Sequence, residues 1–248
     1  MNKILFPRLP WFLLLLIPLT LIGFWPTYFS KKVDSLPSVF HVHAFFMTVW
    51  IALALAQPLL IYFKKTKIHK IVGRLSYFIM PMVFIAVYLM IRHTYYHELE
   101  RMSSVEIRNK YNLTDSEIYQ YAAAYQIKAL IDFIWLIIFY VLAIINRRRI
   151  LSHATYMVAA IFTLLGPTLD RVIGQILDYY EKPFDGFVEY AVFSITLLFF
   201  LFLMIFQKQK GNSVIPSVVC FSVYALGTLG YKYLPMTKFW QSFVELIM

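Results

Sequence analysis

His41-Val42-His43-Ala44 opens an apolar run that carries Trp50 and Gln57-Pro58; Lys64-Lys65-Thr66-Lys67-Ile68-His69-Lys70 follows, and Gly73-Arg74-Leu75-Ser76-Tyr77 opens a second apolar run. Two apolar runs with a basic cluster between them read as a helical hairpin whose turn stays in water. The chain reverses direction at that turn. Histidines that open consecutive runs therefore lie at opposite membrane faces, an arrangement that suits a metal or cofactor held inside a helical bundle.

Working outward from this hairpin, the whole chain has the same character. Of its 248 residues 60% are hydrophobic, 19% aromatic and only 15% charged, with a mean hydropathy of +0.67. A soluble domain needs far less apolar surface, so the fold expected is all-α, a polytopic membrane helix bundle in a single domain over residues 1–248. The formal charge of +10 does not point to nucleic acid. Its lysines and arginines stand in short clusters between apolar runs, where they orient helices. The lone cysteine, Cys220, lies in the last apolar run and excludes an intramolecular disulfide.

A span needs about 20 apolar residues. Seven stretches qualify: 10–29, 39–63, 71–92, 121–146, 154–179, 186–207 and 213–234, with six or eight as the neighbouring counts. The N-terminal run ends in Trp25-Pro26-Thr27-Tyr28-Phe29, so it reads as a retained anchor rather than a cleaved signal. Lys3, Arg8, Lys64–Lys70 with Arg74, Arg147–Arg149, Lys208 and Lys210 all fall on one side. The positive-inside rule makes that side the cytoplasm of a bacterial inner membrane, with the N-terminus inside; Lys31 and Lys32 argue the other way.

The long outer connection 93–121 carries two capping-box patterns, Ser103-Ser104-Val105-Glu106 and Thr114-Asp115-Ser116-Glu117. They predict a short helix over 104–111 and a fourth membrane helix that starts near Thr114. Gly166-Pro167 should bend the fifth helix. Beyond Thr237, the spacing of Phe239, Trp240, Phe243, Val244 and Ile247 predicts an interfacial amphipathic helix anchored by its tryptophan.

Charges inside spans cost about 2.5–3.5 kcal/mol on insertion scales and call for a partner or a role. Lys128 and Asp132 are four apart and can pair on one helix face. Asp170 and Arg171 are adjacent, so at least one reaches a neighbouring helix. The bland reading is a pair of helix-packing ion pairs; the functional one is a polar cavity in the outer half, joined by Glu189. Among the histidines, His41 and His43 are about 200° apart around a helix and cannot share one metal. His43 instead heads an inward stripe with Met47, Trp50, Ala54 and Gln57. His93 and His97 are four apart on one face, a spacing that can chelate a transition metal. His69 and His153 form the cytoplasmic pair, each beside a basic cluster; phosphate contact with lipid is their bland reading. Arg171, eighteen residues past His153, would share its face in a straight helix.

Two resemblances rest on these residues. His69-Lys-Ile-Val-Gly73-Arg74-Leu-Ser-Tyr77 resembles the His-x-x-x-Gly-Arg-x-x-Tyr signature of an uncharacterised family of bacterial polytopic membrane proteins, and His153-Ala-Thr-Tyr-Met157 with Arg171 resembles that family's second block, with Tyr156 where tryptophan is expected. The chain is also similar to the transmembrane ascorbate-reducible cytochromes b. There the likeness implies one haem between His69 and His153, with no histidine on the fourth helix for a second.

The leading expectation is thus a cofactor- or metal-binding membrane protein. It would be a redox component with one b-type haem on His69 and His153 near Arg74, working with a membrane redox partner. The rivals are a small-solute or ion transporter built on Lys128, Asp132, Asp170 and Arg171, and a metal-dependent hydrolase using His43, His93 and His97, with His41 as a further ligand candidate. A purely structural subunit would leave all these groups merely paired.

Overall fold

The computed structural model describes residues 9–179 and 187–248, and within them every regular element is helical. The first membrane stretch is built from α1 (Leu9–Leu13), α2 (Leu16–Phe24) and a π-turn over Trp25–Phe29. After it come α3 (Ser38–Tyr62), α4 (Thr66–Ser103), α5 (Val105–Tyr111), α6 (Asp115–Tyr125) and α7 (Ile127–Ile145). The chain closes with α8 (Ile150–Phe162), α9 (Leu165–Tyr179), α10 (Phe187–Gln209), α11 (Ile215–Tyr233) and α12 (Lys238–Ile247).

Six stretches among the described residues are long and apolar enough to cross a membrane: Leu9–Phe29, Ser38–Tyr62, Thr66–Ser103, Ile127–Ile145, Ile150–Leu177 and Val188–Gln209. The seventh expected span is the 19-residue α11, whose apolar character is diluted by Ser217, Ser222, Gly227, Thr228, Gly230 and Lys232. Lys3 and Arg8, part of the orientation argument, lie outside the described residues.

Proline and glycine set the breaks. Pro26 has no N–H to offer Ile22, and the helix widens into the π-turn just there. The carbonyls of Ile22 and Gly23 there also accept from Gln175 Nε2 on α9, at 3.2 and 3.0 Å, while Ile22 keeps the Trp25 N–H as a backbone donor. Gly23 makes this approach possible, since a Cβ on it would lie 3.0 Å from the Thr168 carbonyl oxygen. The expected bend at Gly166-Pro167 falls slightly earlier, between Phe162 and Leu165. Pro167 crowds the carbonyl four residues back, at Thr163, and is itself accommodated in the first turn of α9.

The connection over 93–121 is largely helical, as its capping patterns predict. α4 continues well past residue 92 to Ser103, and its extension is tied by Arg101, which donates to both Glu98 oxygens at 2.9 and 2.5 Å. The short helix is present as α5, but no side chain caps it; Ser103 Oγ donates back to the Leu99 carbonyl instead. The second capping box forms fully: Thr114 accepts from the Glu117 amide and Glu117 accepts from the Thr114 amide. Those bonds favour the charged carboxylate and hold Glu117 below its ordinary value of 4.5. The fourth membrane helix is divided at Gln126 into α6 and α7.

The C-terminal helix departs from expectation. Trp240 is 3% exposed and donates its indole N–H to the Ala123 carbonyl at 2.8 Å, so it anchors α12 to α6 rather than to lipid. Tyr88 and Tyr96 on α4 donate to the Ile247 and Met248 carbonyls at 2.6 and 3.1 Å. Phe239, expected on the same buried face, points outward instead.

Helices apolar enough to lie in lipid are held together by close packing rather than by release from water. Tyr224 on α11 shows how: Trp135, Phe139 and Phe200 surround its ring at 4.5, 5.0 and 5.6 Å between centroids, and its hydroxyl donates to the Ala159 carbonyl at 2.8 Å. Gly227 lets the Trp135 indole lie against the α11 backbone, where a Cβ would collide with the ring. Thr155, Gln207 and Ser217, all buried, add a hydrogen-bonded link between α8, α10 and α11.

Candidate functional site

Two polar regions occupy the interior, and their side chains are treated very differently. In the first, Lys128 Nζ on α7 lies 3.0 Å from Asp132 Oδ2, one turn on, and 2.7 Å from Asp170 Oδ2 on α9. The three side chains are 17, 12 and 15% exposed. The expected Lys128–Asp132 pair is present, and Asp170 is the residue that reaches across. Gly166 was expected only to bend the helix. It also makes room for this cluster, because a Cβ there would stand 2.9 Å from Lys128 Nζ and 3.3 Å from Asp132 Oδ2. Tyr231 on α11 lies within electrostatic range of Glu189, Lys128 and Asp170, which places the buried Glu189 at the edge of the same group. Nothing in the sequence marks Tyr231 among 18 tyrosines.

Arg171 goes elsewhere. Its guanidinium stacks 4.4 Å over the Phe24 ring and donates to the Pro167 carbonyl at 2.8 Å, and the histidine in its electrostatic neighbourhood is His43. The shared face with His153 is not realised, because the helix breaks between the two residues.

The second region is the α3 stripe. His43 Nδ1, Trp50 Nε1 and both amide atoms of Gln57 are buried and have no hydrogen-bond partner. Trp50 is 1% exposed; its ring meets Tyr140 edge-on, with centroids 6.5 Å apart. Tyr140 shares a hydrogen bond of 2.8 Å with Ser76 on α4. Leaving a buried polar group unsatisfied costs about 1–3 kcal/mol, so a run of them calls for a ligand or water.

The two histidines expected to pair, His69 and His153, lie at the end of this stripe. His69, in the first turn of α4, lies beside the Gln57 backbone and within electrostatic range of His153, and its Nδ1 is buried without a partner. His153 Nδ1 is 2.9 Å from the Ala143 carbonyl oxygen, which can only accept. Nδ1 therefore carries a proton, which leaves Nε2 as the nitrogen whose lone pair can bind a metal. A second ring atom fixed by a backbone carbonyl is the usual way of presenting the other nitrogen to a metal. Arg74 is exposed on the same stretch, beside Lys67 and Lys70.

The remaining histidines are placed less suggestively. Both ring nitrogens of His41 are engaged at 3.0 Å, by the Tyr28 hydroxyl and the Val33 carbonyl. His93 and His97 do share a face, with centroids 6.5 Å apart, but His93 packs edge-on against Phe40 and His97 is exposed. Among the described residues no three of His, Cys, Asp and Glu gather as a metal site, so the three-ligand set expected for a hydrolase is not assembled.

No family model matches the chain, and no curated protein or solved structure is similar to it.

Proposed function

We propose that this chain is a seven-span protein of the bacterial inner membrane in which His69 and His153 hold one b-type haem at the cytoplasmic end, as an electron-transfer component. The observation that carries the reading is the pair itself. A histidine whose Nδ1 donates to the Ala143 carbonyl lies within electrostatic range of a second whose Nδ1 is buried and unpartnered, 84 residues away in the sequence. Two neutral imidazoles are the ligand set for a low-spin haem, which would supply a one-electron couple. Arg74, Lys67 and Lys70 fit its two propionates, which need cations at the membrane edge. Apolar side chains around the pair would exclude water and help set the potential.

Seven spans are favoured by the position of α12. It docks on α6 and the outer end of α4, so α11, leading into it from the Lys208–Lys210 side, has its ends on opposite sides of the bundle. With Lys64–Lys70, Arg147–Arg149 and Lys208–Lys210 at the same end, the positive-inside rule puts that end and the N-terminus in the cytoplasm.

The test is an absorption spectrum with metal analysis of protein purified from haem-replete cells. A Soret band that sharpens on reduction and is lost in both His69→Ala and His153→Ala is the expected result. Colourless protein that takes up no added haem removes the reading. A second reading, small-solute or ion transport, draws on the buried cluster of Lys128, Asp132 and Asp170 with the unpartnered Asp170 Oδ1. Loss of reconstituted solute flux in Asp132→Asn, with the cytoplasmic histidines dispensable, would favour it.

A further inference from the structure

Pro81 and Val141, the shortest side chains along the seam between α4 and α7, leave a groove there of about 230 Å³, open along one side. Tyr77, Pro81 and Phe84 follow one another at helical spacing on α4, and Val141, Ile144 and Ile145 do so on α7, so each set forms one wall. Tyr140 is the floor. Its ring meets Phe84 edge-on with centroids 6.0 Å apart, and its hydroxyl is engaged by Ser76 at 2.8 Å. With that bond made, the floor presents ring carbon to whatever lies in the groove. A pocket for a cofactor or drug-sized ligand encloses about 300–1,000 Å³ and sets a few polar groups around it. This groove is smaller, open and apolar, a shape for a hydrocarbon chain laid lengthwise. From Tyr77 to Phe84 it runs about 10.5 Å along α4.

One end of the groove is strongly cationic. Ile145 is the last residue of α7, and Arg147, Arg148 and Arg149 follow at once, all three exposed. Arg147 folds back onto the groove wall, its Nη1 donating to the carbonyl of Ile144 at 3.1 Å. The exposed guanidinium has four further N–H donors in a planar fork, which suits the oxygens of a phosphate. An apolar trough that ends under a run of arginines is complementary to an amphiphile with a hydrocarbon chain and a negatively charged head. We propose that the α4–α7 groove seats one anionic phospholipid of the cytoplasmic leaflet, with an acyl chain over Pro81 and Val141 and the phosphate on Arg147. The chain gives contact to any phospholipid; the arginines select net negative charge, because a zwitterionic head brings its own cation. The site rests on the membrane setting proposed above and not on the haem, whose propionates fall to Arg74, Lys67 and Lys70.

The test uses full-length protein extracted from membranes, stripped of lipid and reconstituted with a trace of phosphatidylglycerol that carries a diazirine in its acyl chain. Photolabelling should fall on residues 77–84 and 141–145, and unlabelled phosphatidylglycerol should compete at least about fivefold better than phosphatidylcholine. Both are read on the wild type and need no variant to fold. Arg147→Gln should bring the preference to about twofold or less, and Val141→Trp, which fills the groove from an exposed position, should remove the label. Equal competition by the two lipids overturns the proposal, as does label spread evenly over the spans. Unchanged labelling in Val141→Trp overturns the groove and leaves lipid on the arginines alone, and a neutral isoprenoid that phosphatidylglycerol does not displace assigns the groove to another occupant. Protein recovered only from the soluble fraction removes the membrane setting and the proposal with it, whereas colourless protein labelled as stated keeps the proposal and loses the haem.

Discussion

Lys128 and Gln57 are both polar residues of helices long and apolar enough to cross a membrane, yet one is held by carboxylates at 3.0 and 2.7 Å and the other meets no hydrogen-bond partner with either amide atom. Around Lys128 the chain has spent a glycine, Gly166, and a second helix, α9, on closing the charges upon each other. Around Gln57, and at Trp50 and His43 above it, no such closure is made. A buried charge left alone costs far more than a buried amide, so the ion cluster must be completed by protein while an amide or indole can be completed by water or a ligand. The first region therefore reads as architecture and the second as a place where something else enters.

That contrast breaks most sharply at Lys128. Lys128→Met leaves Asp132 and Asp170 facing each other without a cation, and melting in detergent should show a loss of about 3–5 kcal/mol. Replacing all three charged residues by Met, Asn and Asn should restore most of it. A Lys128→Met protein that melts like its parent would mean that water, not protein, solvates the cluster.

Next in size is Gly227→Ala. Its Cβ would collide with the rigid Trp135 indole, with an expected cost of about 1–3 kcal/mol. Gly166→Ala meets the ends of the Lys128 and Asp132 side chains and should cost less, about 1 kcal/mol. Reversal of that order would place the rigid constraint at the ion cluster instead of in the aromatic core. Gln57→Leu removes no protein partner, so its effect on the melting temperature should be small, within about 0.5 kcal/mol. A loss comparable to that of Lys128→Met would show that Gln57 is architectural too.

The smallest effect is at Glu117, outside the membrane. Its folded value is depressed, so the capping contribution is complete above its ordinary value of 4.5 and is lost as the pH falls through the lower folded value. Hydrogen exchange at the first turn of α6 should therefore lose protection in acid, relative to a Glu117→Gln protein that lacks this dependence.

Much of this was legible in the residues. Seven apolar runs gave six compositional spans and a seventh helix, because hydropathy reads what lipid demands of a backbone. The Thr114–Glu117 box and the Lys128–Asp132 pair are local and could be read from spacing alone. The departures share a physical cause, namely that they depend on which helices meet. The same capping pattern at Ser103–Glu106 fails because Ser103 bonds back to its own helix. Trp240 looked like a lipid anchor until α6 supplied the Ala123 carbonyl. Tyr231 at the ion cluster, and Arg171 beside His43 rather than His153, required knowledge of where α9 breaks and what packs on it.

The Gln175 clasp on α2 has a consequence in time. The carbonyls of Ile22 and Gly23, where Pro26 interrupts the helical ladder, accept from a side-chain donor encoded about 150 residues later. At translation rates of about 5–20 residues per second, the first helix waits roughly 8–30 s in the translocon or the bilayer before Gln175 is synthesised. Over that interval the end of the helix near Gly23 lacks its clasp. Seating of the first helix is thus expected to be a late event in assembly, completed only when α9 is in place.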